Sequence, residues 1–390
     1  MSGKTRHKTR RSFGATAPPF LDYLKDILRR YPDGGQILKE LIQNADDAQA
    51  TEVIFIHDER SYGTESLWNA NLGQYQGPAL YAYNNAVFTE DDWERIQMAG
   101  RSGKINDPNK IGRFGIGFNS VYHITDVPSI FSSGHLGLMD PQEEIFGDKG
   151  FWWILNEPED QEALMTMHDQ FQPYRDIVSV VGKQEWSTII EDQHFSGTLF
   201  RFPLRNKASE ISDNLYDSDK VVELFDSFIA DADLSLLFLK SVDTVSLIHI
   251  SQDGTINTRL QIKSSEPTEV LLKQEDESDV EGLTRIKLIT LNSEDQKKTQ
   301  WLLTTSTMKE GKAPNLVDLA KKLSFLPRVD SNLLFLYLLC TTCGLMLLKC
   351  STKTNGLILL WMFFITYSMR TWLFSLLPEM KHSLSLYQKL

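Results

Sequence analysis

The spacing of apolar and polar positions divides the first two hundred residues into short helices and strands. Phe20, Leu21, Leu24, Ile27 and Leu28 recur at helical intervals between Phe20 and Tyr31, directly behind Pro18-Pro19. Pro32-Asp33-Gly34-Gly35 ends that helix, and a second runs from Gln36 to Ala48. Thr51 to His57 and Ala79 to Tyr83 are rich in β-branched and aromatic residues and predict strands. Thr89 is an N-cap for a further helix, with Asp91 and Asp92 in its first turn.

The pattern changes twice downstream. From 213 to 325 it predicts a second, smaller α/β unit. Its helix, Ser218 to Ala230, carries Val221, Val222, Leu224, Phe225, Phe228 and Ile229 on or near one face. Strands follow over Thr244 to Ile250, Thr258 to Lys263, Thr284 to Leu291 and Thr299 to Thr305, interrupted by the acidic loop Glu275 to Glu281. From 326 to 390 the chain is an atypical hydrophobic tail. Leu333 to Leu348 and Thr354 to Met369 contain no Asp, Glu, Lys or Arg, yet each is shorter than the roughly 20 residues that span a bilayer. A short membrane hairpin, a buried helical pair and a stretch foreign to the domain all fit. The loss of amphipathic order favours the last, with membrane association next.

Composition narrows the function classes. A net charge of −12 over 390 residues argues against nucleic acid as the main partner. Residues 1–12 hold Lys4, Arg6, Lys8, Arg10 and Arg11 without a following apolar core, which fits a disordered basic tail and no secretory signal. All three cysteines lie between Cys340 and Cys350, so a disulfide framework is not expected upstream, and a cytoplasmic location is. Cys340-Thr-Thr-Cys343 has redox or zinc-like spacing but lacks a second ligand pair.

Candidate chemistry starts on the second helix. At about 100° per residue, Glu40, Asn44 and Asp47 share one polar stripe, with Ile37, Leu38, Leu41, Ile42, Ala45 and Ala48 on the arc beside and opposite it. A solvated surface helix has the same stripe, so amphipathicity does not separate the two. The residue types add more: a carboxylate able to take a proton, an amide oxygen able to ligate magnesium, and a second carboxylate. Further along, Gly112-Arg113-Phe114-Gly115-Ile116-Gly117-Phe118 places three glycines ahead of an apolar helical pattern. Such a loop lets the backbone approach a phosphate closely. Its spacing is neither that of a dinucleotide fingerprint nor that of a P-loop. Gly197-Thr198 opens the strand-like run to Pro203.

In this order and spacing, these segments resemble the nucleotide boxes of the GHKL superfamily, which includes the ninety-kilodalton heat-shock chaperones. The similarity to the sacsin-repeat family is closer, through Phe20 to Ala48, Tyr75 to Tyr81, Phe114 to Phe131 and Phe200 to Arg205. The resemblance runs from about Phe13 to Phe325. It implies an α+β fold whose core is a two-layer α/β sandwich of the GHKL (Bergerat) type over residues 13–212, holding ATP with magnesium. By the same resemblance Glu40 activates water, Asn44 ligates magnesium with Asp47 nearby, and residues 112–118 line the phosphates. Asn84 and Thr198 sit at the adenine, and Arg101-Ser102-Gly103 belong to a mobile lid. Client proteins and seventy-kilodalton heat-shock chaperones are the implied partners, in folding and quality control.

One box departs from the superfamily pattern. Asn84-Asn85-Ala86-Val87-Phe88 stands where the family carries Asp-x-Gly-x-Gly. Replacing the charged acceptor predicts roughly tenfold weaker nucleotide binding. No His-Pro-Asp tripeptide of a J-domain occurs in these residues, nor is an arginine from a middle domain identifiable. The expectation is therefore binding with at most weak ATPase turnover, and a nucleotide-independent scaffold is the alternative.

Overall fold

The computed structural model describes residues 20–97, 117–230, 232–236, 239–264, 270–272, 284–292, 298–306, 334–341, 344–351 and 358–365. Helices α1 (Phe20–Arg30) and α2 (Gln36–Asp47) lead into β1 (Glu52–Asp58), β2 (Ala79–Asn84) and α3 (Glu90–Gln97). A 3-10 turn at Phe118–His123 precedes β3 (Ser129–Ser133), β4 (His135–Met139) and β5 (Gly150–Ile154). Helices α4 (Pro158–Thr166), α5 (His168–Val181) and α6 (Trp186–Asp192) come next, then β6 (Phe195–Pro203). The chain continues through α7 (Ser218–Ile229), α8 (Ala232–Ser235), β7 (Thr244–Ile250) and β8 (Ile256–Ser264).

These strands form one mixed sheet in the order β8-β7-β1-β2-β6-β3-β4-β5. β7 runs parallel to β1, and the other neighbours in this set are antiparallel. The parallel pairing requires a long crossover, which α7 helps supply. α7, β7 and β8 thus continue the sheet of the first section instead of starting apart from it.

The sheet is covered on both faces, where a two-layer sandwich is expected. On one face Val53 and Phe55 of β1 pack with Leu24 of α1, Ile37, Leu38 and Leu41 of α2, and Phe225 and Phe228 of α7. On the other, Ile54 and Ile56 pack with Phe171, Tyr174 and Ile177 of α5 and Ile189 of α6. The physical reason lies in β1, which is apolar on both sides from Val53 to Ile56 and so demands cover above and below. Each fully buried Phe on these faces contributes on the order of 1.5–3 kcal/mol.

Beyond β8 the edge continues. β9 (Val270–Leu272) and β10 (Thr284–Asn292) pair with each other, and Leu291 and Asn292 of β10 pair with Ser264 and Lys263. Extended backbone follows at β11 (Lys298–Ser306), β12 (Leu334–Thr341), β13 (Gly344–Ser351) and β14 (Ile358–Ile365). The tail segments described are therefore strands and not a helical pair. Apolar runs of this length suit either state, and pairing with a neighbouring strand decides. Among the described residues no helix is long and apolar enough to cross a membrane.

Candidate functional site

α2 lies across the first face of the sheet, and its sequence stripe becomes an environment. Ile37, Leu38, Leu41, Ile42 and Ala45 are buried, and Glu40 is drawn in with them at 9% exposure. Asn44 and Asp47 are half-buried on the same helix. Glu40 Oε1 accepts a hydrogen bond from Gln36 Nε2 at 3.1 Å, one helical turn earlier. Burial raises the Glu40 carboxyl above the ordinary glutamate range, and the Gln36 bond opposes this without reversing it.

The partner of Glu40 across the fold is Gly117. Its backbone is helical, with φ −59° and ψ −42°, as it opens the Phe118–His123 turn. A β-carbon built there would overlap the Glu40 carboxylate, so the glycine allows a close approach. The end of the glycine loop and the α2 carboxylate are thereby brought together. Gly112, Arg113, Phe114, Gly115 and Ile116 lie outside the described residues, as do Arg101, Ser102 and Gly103. Phe118 is half-buried, with its ring 5.5 Å from that of Phe200 and 6.5 Å from that of Phe202, and it helps to wall the face.

The second group of predicted residues falls into one row. Antiparallel register places Asn84 of β2 opposite Thr198 of β6, Thr198 opposite Ser132 of β3, and Asn84 opposite Val53 of β1. Paired residues share a face, so the row lies on the α2 side. Hydrogen bonds knit it to the following loop. Ala86 N–H donates to Asn84 Oδ1 at 3.0 Å, and the Thr198 hydroxyl donates to Ala86 C=O at 2.8 Å. Ser132 Oγ accepts from Phe88 N–H at 2.9 Å and lies 2.8 Å from Thr198 Oγ1. Asn84 and Thr198 are both buried. The loop that departs from the Asp-x-Gly-x-Gly pattern is thus tied to Ser132 and Thr198 through Ala86 and Phe88.

Three residues not singled out in the sequence support this site. Asp46, beside the predicted Asp47, accepts from the backbone N–H groups of Lys240, Ser241 and Val242 at 2.7–3.1 Å, tying the end of α2 to the approach to β7. Ser132 had no signal, since a serine at a strand end is commonplace. Arg205 is buried and pairs with buried Asp126 at 2.7 Å, while donating to the carbonyls of Tyr122, His123, Thr125 and Asn214. It holds the segment that follows the glycine loop against the end of β6.

The family assignment rests on comparison with known proteins. A family model for the Sacsin domain matches residues 17–262, a span that ends within β8. The chain belongs to the sacsin family. Human sacsin is 48% identical over 337 residues, which cover 81% of this chain and 7% of sacsin. The chain therefore spans a small part of that relative's length. Among solved structures, the N-terminal domain of a DNA repair protein aligns at 12% identity and a TM-score of 0.31, over 65% of this chain and 66% of that one. That likeness is too distant to bear on function.

Proposed function

We propose that this sacsin-family domain binds magnesium-ATP on the α2 face of the sheet and uses binding to drive closure of the segment between α3 and Gly117 onto client or partner proteins. The observation that carries the reading is the buried Glu40 carboxylate set against the backbone of Gly117. A carboxyl whose proton affinity is raised by burial is better suited than an ordinary glutamate to accept a proton from water. Asn44, one turn along α2, would offer its amide oxygen to magnesium, and Asp47 would lie behind it. The glycine loop up to Gly117 would supply backbone N–H groups to phosphate oxygens. Bound ATP would supply the phosphoanhydride chemistry. Handling of clients with seventy-kilodalton heat-shock chaperones, in the cytoplasm, completes the proposal.

The adenine side is the weaker part of this proposal. Asn84 Oδ1 already accepts from Ala86, and the Thr198 hydroxyl already donates to Ala86. Adenine would have to use the second lone pair of Asn84, an uncharged acceptor, and bind more weakly than at an aspartate. This closed network favours a second reading, a scaffold that keeps the fold without needing nucleotide. Titration calorimetry of the whole chain with magnesium-ATP, together with steady-state hydrolysis, separates the two. Binding that survives Glu40→Ala while hydrolysis is lost supports the first. Neither heat nor a shift in melting temperature supports the scaffold.

A further inference from the structure

The opposite end of β1 carries a second constellation. Parallel register places His57 of β1 beside His249 of β7, with their rings 5.1 Å apart. Glu59 follows β1 and extends the ladder, its N–H donating to Ile250 C=O at 2.9 Å. Because His57 and Glu59 are two residues apart in extended chain, both side chains fall on the side of His249. One ligand atom from each of the three residues lies within 4.8 Å of the other two. Val53 pairs with Asn84 and His57 with Leu80, so four residues of strand, roughly 13 Å, separate this cluster from the Asn84 row.

We propose that His57, Glu59 and His249 form a zinc site that ties β1 to β7. Two imidazoles and one carboxylate are a donor set that Zn2+ takes with a fourth position left to water. His57 is 1% exposed, and its Nε2 is buried without a hydrogen-bond partner. Such an orphaned nitrogen is costly unless something binds it. His249 Nε2 is buried in the same condition. It lies 3.2 Å from Glu59 Oε1 without hydrogen-bond alignment. Tetrahedral zinc with bonds of about 2.0–2.1 Å holds its ligand atoms roughly 3.3 Å apart. The Glu59–His249 pair already has that spacing, and His57 offers a ligand atom within 4.8 Å of both. The ring of Phe225 from α7 stands edge-on to His57 at 6.4 Å and shields one side. Arg259 is a nearby cation, and its guanidinium is paired with Asp226 at 3.0 Å, which offsets its charge.

The test uses the whole chain freed of metal by a chelator, titrated with Zn2+ by calorimetry and with Co2+ by visible absorption. Glu59→Gln and His249→Gln are compared with the wild type, since both positions are half-buried. Melting in chelator checks that each variant folds. The wild type is expected to give cobalt ligand-field bands of a nitrogen–oxygen site without thiolate charge transfer, and a Zn2+-dependent rise in melting temperature. Each folded variant should lose these bands and weaken Zn2+ binding on the order of a hundredfold. A Cys340→Ser, Cys343→Ser chain should keep both signals. Wild type that binds neither metal, or variants that match it in affinity and spectrum, would overturn the proposal.

Discussion

The Glu40 carboxylate occupies the space that a β-carbon on Gly117 would need, which couples α2 to the last residue of the glycine loop. Gly117 has helical backbone angles, so alanine there is conformationally acceptable and by itself favourable by roughly 0.4–1 kcal/mol. Against the wild-type carboxylate the same change overpacks. Gly117→Ala is expected to cost on the order of 1–3 kcal/mol. In a Glu40→Ala background it should become neutral or stabilising. Urea melts of the four chains in that cycle measure the coupling, and additivity would mean the two residues do not touch.

Glu40 also predicts a pH dependence. Its folded pKa lies above the unfolded value, so in the window between them the folded chain holds the extra proton. Stability from this group is present below the unfolded pKa and is lost as pH rises through the folded one. Glu40→Gln should therefore be more stable than the wild type near pH 7, and the gap should close toward about pH 4. Melting temperatures of both chains across that range check the slope.

Asp46 predicts a purely structural loss. Asp46→Ala leaves three backbone N–H groups at 240–242 without their acceptor, at a cost on the order of 1–3 kcal/mol. Hydrogen exchange should speed at 240–242 and along β7. Unchanged exchange there would show that the clamp does not hold the strand.

The local elements were legible because their signals are local. Helices at Phe20 and Gln36, the strand over 244–250 and the strand opening near Thr198 follow from period, proline, glycine and β-branching. What joins them was not. The pairing of β7 with β1 depends on register across more than 180 residues, and no short pattern encodes it. The second helical layer could have been read from β1, whose Val53, Ile54, Phe55 and Ile56 leave no polar face. Among site residues, Glu40 stood out by type and spacing, whereas Asp46 and Asp47 are equivalent as letters. Only the fold shows that Asp46 takes the structural role.

Asn84 is where the nucleotide proposal is most exposed. Asn84→Asp keeps the acceptor for Ala86 N–H and restores a negative charge in the row with Thr198. A charged acceptor is stronger by about 1.4 kcal/mol, which predicts roughly tenfold tighter magnesium-ATP binding. The most direct measurement is calorimetric titration of magnesium-ATP into the whole chain, wild type and Asn84→Asp side by side. One saturable site in the wild type, tightened in the variant, is the predicted result. No heat and no rise in melting temperature with either chain would contradict nucleotide binding by this domain.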